Sequence, residues 1–492
     1  MRSQRQFGAF VPKKPFCICE KNDAELFTDH PRLTGQSRVR WTKMTGQEQL
    51  TDNLMERVEA RNAGQTEFLQ AVRDVARDVM AVEKNNARWS HAKVLERLTE
   101  PDRVIGFRVA WMDDHGDVQI NRGWRVQTSN AIGPYKGGLR FHPSVNPSVL
   151  KFLGFEQVFK NALTGLPLGG AKGGSDFDPN GRSDAEIMRF CQAFMLELAR
   201  YIGPDVDVPA GDINVGTREI GWLFGTYKKV SGASHGALTG KGHSFGGSAM
   251  RVEATGYGLI YFVQAMLAQS GSALDGKRVV ISGKGNVATH AAEKATCEGA
   301  KVVCLSDTSG VLHAPDGMSH DAITWVRDRK AQGADISDPP KALDLSFDAG
   351  STPWSVAEHD IALPCATQNE VDAKAAKDIC AAGATLLAEG ANMPLQSKAL
   401  EHIRTEGLMY APGKASNAGG VAISGLEMSQ NAHRRFNSAE EIDAELKSLM
   451  GDIHARLLEE AGVGKTIDYA RSANIAAYRR VADAVTALGT AA

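Results

Sequence analysis

Lys136, Lys160 and Lys172, together with Asp212, are the side chains whose type and setting could do chemistry. Lys172 stands among four glycines in L-P-L-G-G-A-K-G-G-S-D-F-D-P (166–179), and Lys136 precedes two more in I-G-P-Y-K-G-G-L-R-F. Lys160 follows in G-F-E-Q-V-F-K-N-A. A lysine in such a setting either cradles a phosphate or exchanges a proton. A phosphate loop of the G-x-x-x-x-G-K-[ST] kind needs Gly directly before the lysine and Ser or Thr directly after it. Here Ala171 and Gly173 flank Lys172, so proton exchange is the stronger reading. Glycines let backbone approach closely, which crowds and partly dries an ammonium. A lysine lowered from about 10.4 toward about 7 to 8 exchanges protons near neutral pH. Asp212, in D-V-P-A-G-D-I-N-V-G (207–216), is the candidate proton partner.

A second constellation begins at K-R-V-V-I-S-G-K-G-N-V-A (277–288). Gly283, Gly285 and Ala288 form G-x-G-x-x-A between a β-branched strand and a helix of small residues, and K-V-V-C-L-S-D (301–307) supplies the next strand. Strand, tight turn, helix and strand make a βαβ unit that offers a pyrophosphate the start of a helix. Asp307, about 20 residues on, points by itself to NAD, because a carboxylate accepts from a ribose 2′-hydroxyl and repels a 2′-phosphate. Lys284 and Ser306 pull toward NADP.

These residues need elements to position them. Ile105, Phe107, Val109 and Trp111 alternate, D-D-H-G-D (113–117) makes a turn, and Val118, Ile120, Trp124 and Val126 resume, which predicts a hairpin. From about 140 to 245, helical patterns such as 186–201 are separated by Gly- and Pro-rich loops, so loops are expected to carry the lysine segments and Asp212. Further apolar runs at 360–370, 384–394 and 408–420 each end in small and polar residues, as parallel strands do at a ligand-binding edge. Residues 1–48 lack a clear period and read as an extension, with Met44 a possible translation start. At 492 residues and a net charge of -2, the chain has room for two or three domains and no basic field for nucleic acid or anionic lipid. Seven cysteines without paired metal-ligand spacing suit a reducing compartment, and no apolar run is long enough to span a membrane, so a cytoplasmic protein without a metal site is expected.

With both halves in view, the sequence resembles the NADP-dependent glutamate dehydrogenases of the short, homohexameric class within the Glu/Leu/Phe/Val dehydrogenase superfamily. The motifs that carry this include G-P-Y-K-G-G-L-R-F-H-P, L-P-L-G-G-A-K-G-G-S-D-F-D-P, D-V-P-A-G-D-I, A-E-G-A-N-M-P and S-N-A-G-G-V-A-x-S-G-L-E-M, over the chain from about Gln65. The resemblance implies an α/β fold: a substrate and oligomerisation domain at 49–245, completed by 467–492, and a Rossmann-like dinucleotide domain at 246–466, with a cleft between them. It makes Lys172 the catalytic lysine and Asp212 the proton-relaying acid. Lys160 becomes the α-carboxylate anchor, Gln157 and Gly211 neighbours of the substrate, and Lys136 and Ser424 the holders of the side-chain carboxylate. Thr255, Asn286 and Asn392 fall on dinucleotide contacts beside Gly283, Gly285, Ser306 and Asp307. The implied reaction joins 2-oxoglutarate, ammonium and NADPH to give L-glutamate, and S-D-[ST]-x-G at 306–310 favours NADP over NAD. Ala171 and Lys284 depart from the Gly and Ser that many relatives carry. The rivals are a branched-chain or aromatic amino-acid dehydrogenase and a catalytically silent nucleotide-binding protein.

Overall fold

The computed structural model describes residues 46–462 and 467–491. Residues 1–45 of the expected extension therefore lie outside the described residues, whereas Gly46 already opens the helix Gly46–Arg61. The expected hairpin is present: β1 (Arg103–Met112) and β2 (Val118–Ser129) pair antiparallel. Its turn is closed by Asp113, whose Oδ1 accepts the backbone N–H groups of His115 and Asp117 at 2.9 and 3.0 Å.

Where the composition predicts loops, the structure has three more strands. They are β3 (Tyr135–Phe141), β4 (Gly170–Ser175) and β5 (Asp207–Gly211), and the five-stranded sheet runs β1-β2-β4-β3-β5 with β4, β3 and β5 parallel. Glycine, proline and charged residues argue against strands because they leave little to pack on a pleated surface. Here the neighbouring elements supply the packing. On one face Leu139 and Phe141 meet Phe177, Phe190 and Phe194, and on the other the helix Pro147–Leu163 lies so close that a methyl group at Gly170 would come within 2.3 Å of Val158. That helix starts at Pro147 after the Asn146 side chain, which accepts the Val149 N–H at 3.0 Å.

Register then decides which side chains share a face. Leu139 stands opposite both Gly173 and Gly211, and side chains alternate along a strand. Lys136 and Arg140 on β3, Lys172 on β4 and Asp212 just beyond β5 therefore project to one side. Gly138 sits in the same row, and a methyl there would lie 2.8 Å from the Asp212 Cβ, so this glycine makes room for the carboxylate.

The opposite face carries a buried ion pair. Arg125 on β2 crosses under β4 and β3 to Asp207 on β5, donating from Nε at 2.9 Å and Nη2 at 2.5 Å, with Nη1 on the Gly137 carbonyl at 3.1 Å. Gln127 donates to the same carboxylate at 2.9 Å, and both charged side chains are fully buried. Gly173 keeps the path open, since a methyl there would lie 3.0 Å from the Arg125 Cδ. One of the glycines beside Lys172, Gly173, thus serves the arginine beneath it, which corrects the expectation that these glycines act only by crowding the ammonium. Asp207→Ala strands the guanidinium without its partner and is expected to cost about 3–5 kcal/mol of stability, read as a lowered midpoint in urea unfolding.

The second sheet comprises β6 (Arg278–Ile281), β7 (Lys301–Asp307), β8 (Gly310–His313), β9 (Ser346–Ala349), β10 (Ile361–Leu363), β11 (Leu386–Ala388) and β12 (Met409–Ala411). Its order is β12-β11-β10-β6-β7-β8-β9, parallel from β12 to β7 and antiparallel beyond. The apolar runs at 360, 384 and 408 are its parallel strands, and the small and polar residues that follow them collect at one edge.

Candidate active site

On the shared face of the first sheet, Lys172 Nζ lies 3.1 Å from Asp212 Oδ1, and Arg140 Nε donates to Asp212 Oδ2 at 2.7 Å. Lys172 is 5% exposed. Burial pulls its ammonium below the ordinary lysine value more than the Asp212 carboxylate pulls it up, and Arg140 adds to the lowering. Burial opposes ionisation of Asp212, yet Lys172 and Arg140 outweigh it and hold the carboxyl well below the usual range. The pair therefore titrates as a unit.

The other two lysines are tuned in the same sense. Lys136 is 2% exposed and is pushed down to about 7 by burial, then by the charges of Arg251 and Arg125. Lys160 is pushed down to about 8 by burial and by Lys172. Its Nζ contacts Asn417 Oδ1 and lies 3.4 Å from Asn392 Oδ1, while Asn417 Nδ2 donates to Asn392 Oδ1 at 3.0 Å. The structure thus ties Asn392, expected among the dinucleotide contacts, to Lys160. Gln157 lies one helical turn before Asn161 and donates to its Oδ1 at 2.7 Å, and Asn161 in turn donates to the Lys136 carbonyl at 3.1 Å. Ser424 is buried on the helix Gly419–His433, one turn after Gly420.

A cleft of about 700 Å³ opens beside this wall, lined by Gly211, Asp212, Arg251, Thr255, Asn286 and Lys330 among others. Asp212 belongs both to the lysine cluster and to the cleft lining. On the far side, Gly283 adopts φ +89°, a turn conformation that favours glycine, and Asn286 begins the helix Asn286–Cys297. Above Gly285 there is open space: the nearest atom to a methyl placed there is Lys330 Nζ at 4.0 Å. The first N–H groups of that helix point into this space, so the turn fits a dinucleotide pyrophosphate. Ser306 differs from its expected position as a cofactor contact: it is buried, and its Oγ accepts the Gly283 N–H at 3.1 Å, so it pins the turn. Asp307 lies beside it at the end of β7.

Several residues escaped the sequence reading. Arg140 stands four positions from Lys136, an even spacing that places both on one face only once β3 is recognised. Arg251 is half-buried beside Gly420, with Nη1 3.5 Å from a methyl placed there, and its buried Nε has no hydrogen-bond partner among the described residues. The nearby Glu427 carboxylate is already engaged by Lys241 at 2.7 Å and by the Gly240 N–H at 2.9 Å. Arg251 therefore brings a fork of donors to the wall that holds Lys136. Lys330, on the helix His320–Ala331, donates to Asn286 Oδ1 at 2.9 Å.

Comparison with known proteins agrees with this geometry. The model of the Glutamate/Leucine/Phenylalanine/Valine dehydrogenase family matches residues 246–489, and that of the Glu/Leu/Phe/Val dehydrogenase dimerisation domain matches 101–229. The chain is 53% identical over 440 residues to an NADP-specific glutamate dehydrogenase of Psychrobacter sp. (strain TAD1), covering 88% of this chain and 98% of that protein. It is 52% identical over 444 residues to an NAD-specific glutamate dehydrogenase of Bacteroides fragilis, covering 89% and 99%. The crystal structure of Plasmodium falciparum glutamate dehydrogenase superposes with a TM-score of 0.87 at 45% identity, covering 90% of this chain and 95% of that one. The chain belongs to the Glu/Leu/Phe/Val dehydrogenase family.

Proposed function

We infer that the protein is a glutamate dehydrogenase that catalyses the reversible reductive amination of 2-oxoglutarate with ammonium and NADPH to give L-glutamate, NADP and water. The observation that carries this reading is the wall in which Lys172, paired with Asp212 at 3.1 Å, stands beside two further lysines of lowered proton affinity, Lys136 and Lys160. A five-carbon dicarboxylate needs two cationic anchors, and one lysine is then left for proton transfer. We assign Lys160 to the α-carboxylate, with Gln157 and Gly211 alongside, and Lys136 with Ser424 to the side-chain carboxylate. The bound dinucleotide supplies hydride exchange at the substrate α-carbon.

In the deaminating direction Lys172, once neutral, takes a proton from the water that attacks the substrate iminium and returns one as the carbinolamine collapses. A protonated Lys172 would repel that iminium, so its burial has a chemical use. Asp212, kept ionised by Arg140, receives and passes on the amine proton. Thr255, Asn286 and Asn392 are the proposed dinucleotide contacts beside Gly283 and Gly285, in a cleft between a substrate domain (49–245 with 467–492) and a dinucleotide domain (246–466).

Buried Lys136 and half-buried Arg251 disfavour the apolar pocket that a branched-chain or aromatic substrate needs. Following NADPH loss with 2-oxoglutarate and ammonium, then with NADH or a branched-chain 2-oxo acid exchanged in, tests the assignment. Absence of turnover with every pair would remove the enzyme reading.

The lysine anchors also set a pH dependence. A lysine of lowered pKa is charged below that value, so its contribution to binding a dicarboxylate is present at low pH and lost as pH rises through about 7 for Lys136 and about 8 for Lys160. Glutarate, which has no amine to titrate, is expected to bind about tenfold more weakly per pH unit between about 7 and 8, where one anchor is lost, and up to about a hundredfold more weakly per unit above about 8, where both are. Calorimetric affinities that stay constant across that range would exclude these lysines as the anchors.

The enzyme acts on small molecules and is oligomeric, and we propose a homohexamer. In support, the edge strand β1 and its neighbour β2 expose Val104, Met112, Val118 and Ile120. Light scattering on the native protein measures the assembly. No described helix is long and apolar enough to cross a membrane, and we place the enzyme in the cytoplasm on its cysteine pattern.

A further inference from the structure

We propose that Lys284 is the residue that admits the adenosine 2′-phosphate, acting as one half of an ion pair with Asp307. This rests on the NADP reading above and explains how a chain with an acidic residue at the end of β7 accommodates a phosphate there.

A carboxylate at the position of Asp307 ordinarily accepts from the ribose hydroxyls and repels a 2′-phosphate. In this structure its oxygens point elsewhere. Oδ2 accepts from Lys284 Nζ at 2.6 Å, and Oδ1 accepts from the Ser309 N–H at 2.8 Å and the Ser309 hydroxyl at 2.5 Å. Only 4% of the Asp307 side chain reaches solvent, against 24% for Lys284. The pair therefore presents its positive member outward and its negative member inward, reversing the sign that an acidic residue would show the ligand.

Lys284 is also held in place. Its Nζ donates to the Ala334 carbonyl at 2.8 Å, just beyond the helix His320–Ala331, where the helix dipole favours a cation. An ammonium has three donors, so two fixed bonds leave one N–H for a ligand. Lys284 lies between Gly283 and Gly285, within the turn that fits the pyrophosphate, and β6 and β7 are adjacent parallel strands whose ends share an edge. Ser306 does not compete for the role, since its hydroxyl is committed to the Gly283 N–H.

The test measures binding directly on the full chain, by calorimetry with adenosine 2′,5′-bisphosphate against 5′-AMP and with NADPH against NADH. The wild type is expected to prefer the 2′-phosphorylated member of each pair. K284S should lose about ten- to a hundredfold of that preference, through weaker binding of the phosphorylated ligands and not of 5′-AMP or NADH. K284R should keep most of it. The double variant K284S/D307S should lose less than K284S alone, because no bare carboxylate then faces the phosphate. Three results would overturn the proposal: a K284S protein with wild-type preference, equal weakening of both ligands in each pair, or a double variant that discriminates no better than K284S. A wild type that binds adenosine 2′,5′-bisphosphate no better than 5′-AMP overturns the NADP reading itself, whatever Lys284 does.

Discussion

Lys172→Ala is expected to lower kcat by about three orders of magnitude or more while NADPH binds within about twofold of the wild type. The reason is spatial. Lys172 projects from β4 onto the face it shares with Asp212, whereas the proposed dinucleotide contacts Gly283, Gly285 and Asn286 belong to the turn after β6. Deleting the ammonium leaves Asp212 with Arg140 alone, so the carboxylate stays ionised but has no neutral base to exchange with. Lys172→Arg should not rescue turnover, because a guanidinium does not release its proton. Titration of NADPH by fluorescence alongside steady-state kinetics separates the two effects. A comparable loss of NADPH affinity in the alanine variant would restore the phosphate-cradle reading of this segment.

Lys136→Ala should raise KM for 2-oxoglutarate on the order of 10²- to 10³-fold, with a smaller fall in kcat. Removing one member of a desolvated charge pair leaves the substrate carboxylate in a pocket that can no longer repay its dehydration. Arg251 stays nearby and limits the loss, which is why the effect falls short of abolishing binding. The emptied space should favour 2-oxo acids with apolar side chains, so the ratio of kcat/KM for a branched-chain acid to that for 2-oxoglutarate should rise. Unchanged dicarboxylate kinetics would take Lys136 out of the site.

The parts that the sequence disclosed are those with a one-dimensional signature. Alternating apolar residues around D-D-H-G-D announce the hairpin, and a β-branched run ending in G-K-G announces the βαβ unit, because periodicity and turn chemistry are local. The strands β3, β4 and β5 lack that signature. Their stability comes from neighbours in space, so Y-K-G-G-L-R-F, G-A-K-G-G-S and D-V-P-A-G read as loops. Missing these strands also hid Arg140, whose alignment with Lys136 follows only from a two-residue period. Arg125 has no local sign of its partner either, because Asp207 lies 82 positions away. Ser306 and Lys284 show the same limit in the second sheet. Their types hinted at NADP, but only geometry shows that the serine faces inward and the lysine covers the acid.

The glycine at position 173 has a consequence for how this enzyme can change over time. Its neighbour on β4, Lys172, projects to one face of the sheet, and the space on the other face is occupied by the Arg125 side chain. A side chain at 173 would press on the Arg125 Cδ at 3.0 Å and on the Trp124 carbonyl and Leu139 at 2.9 Å, and so would shift the arginine that pairs with Asp207 and whose charge helps set the proton affinity of both Lys136 and Lys172. Robustness and reactivity are therefore fused at one residue, and substitutions that strengthen the sheet there cannot leave the acid–base behaviour of the lysines as it was.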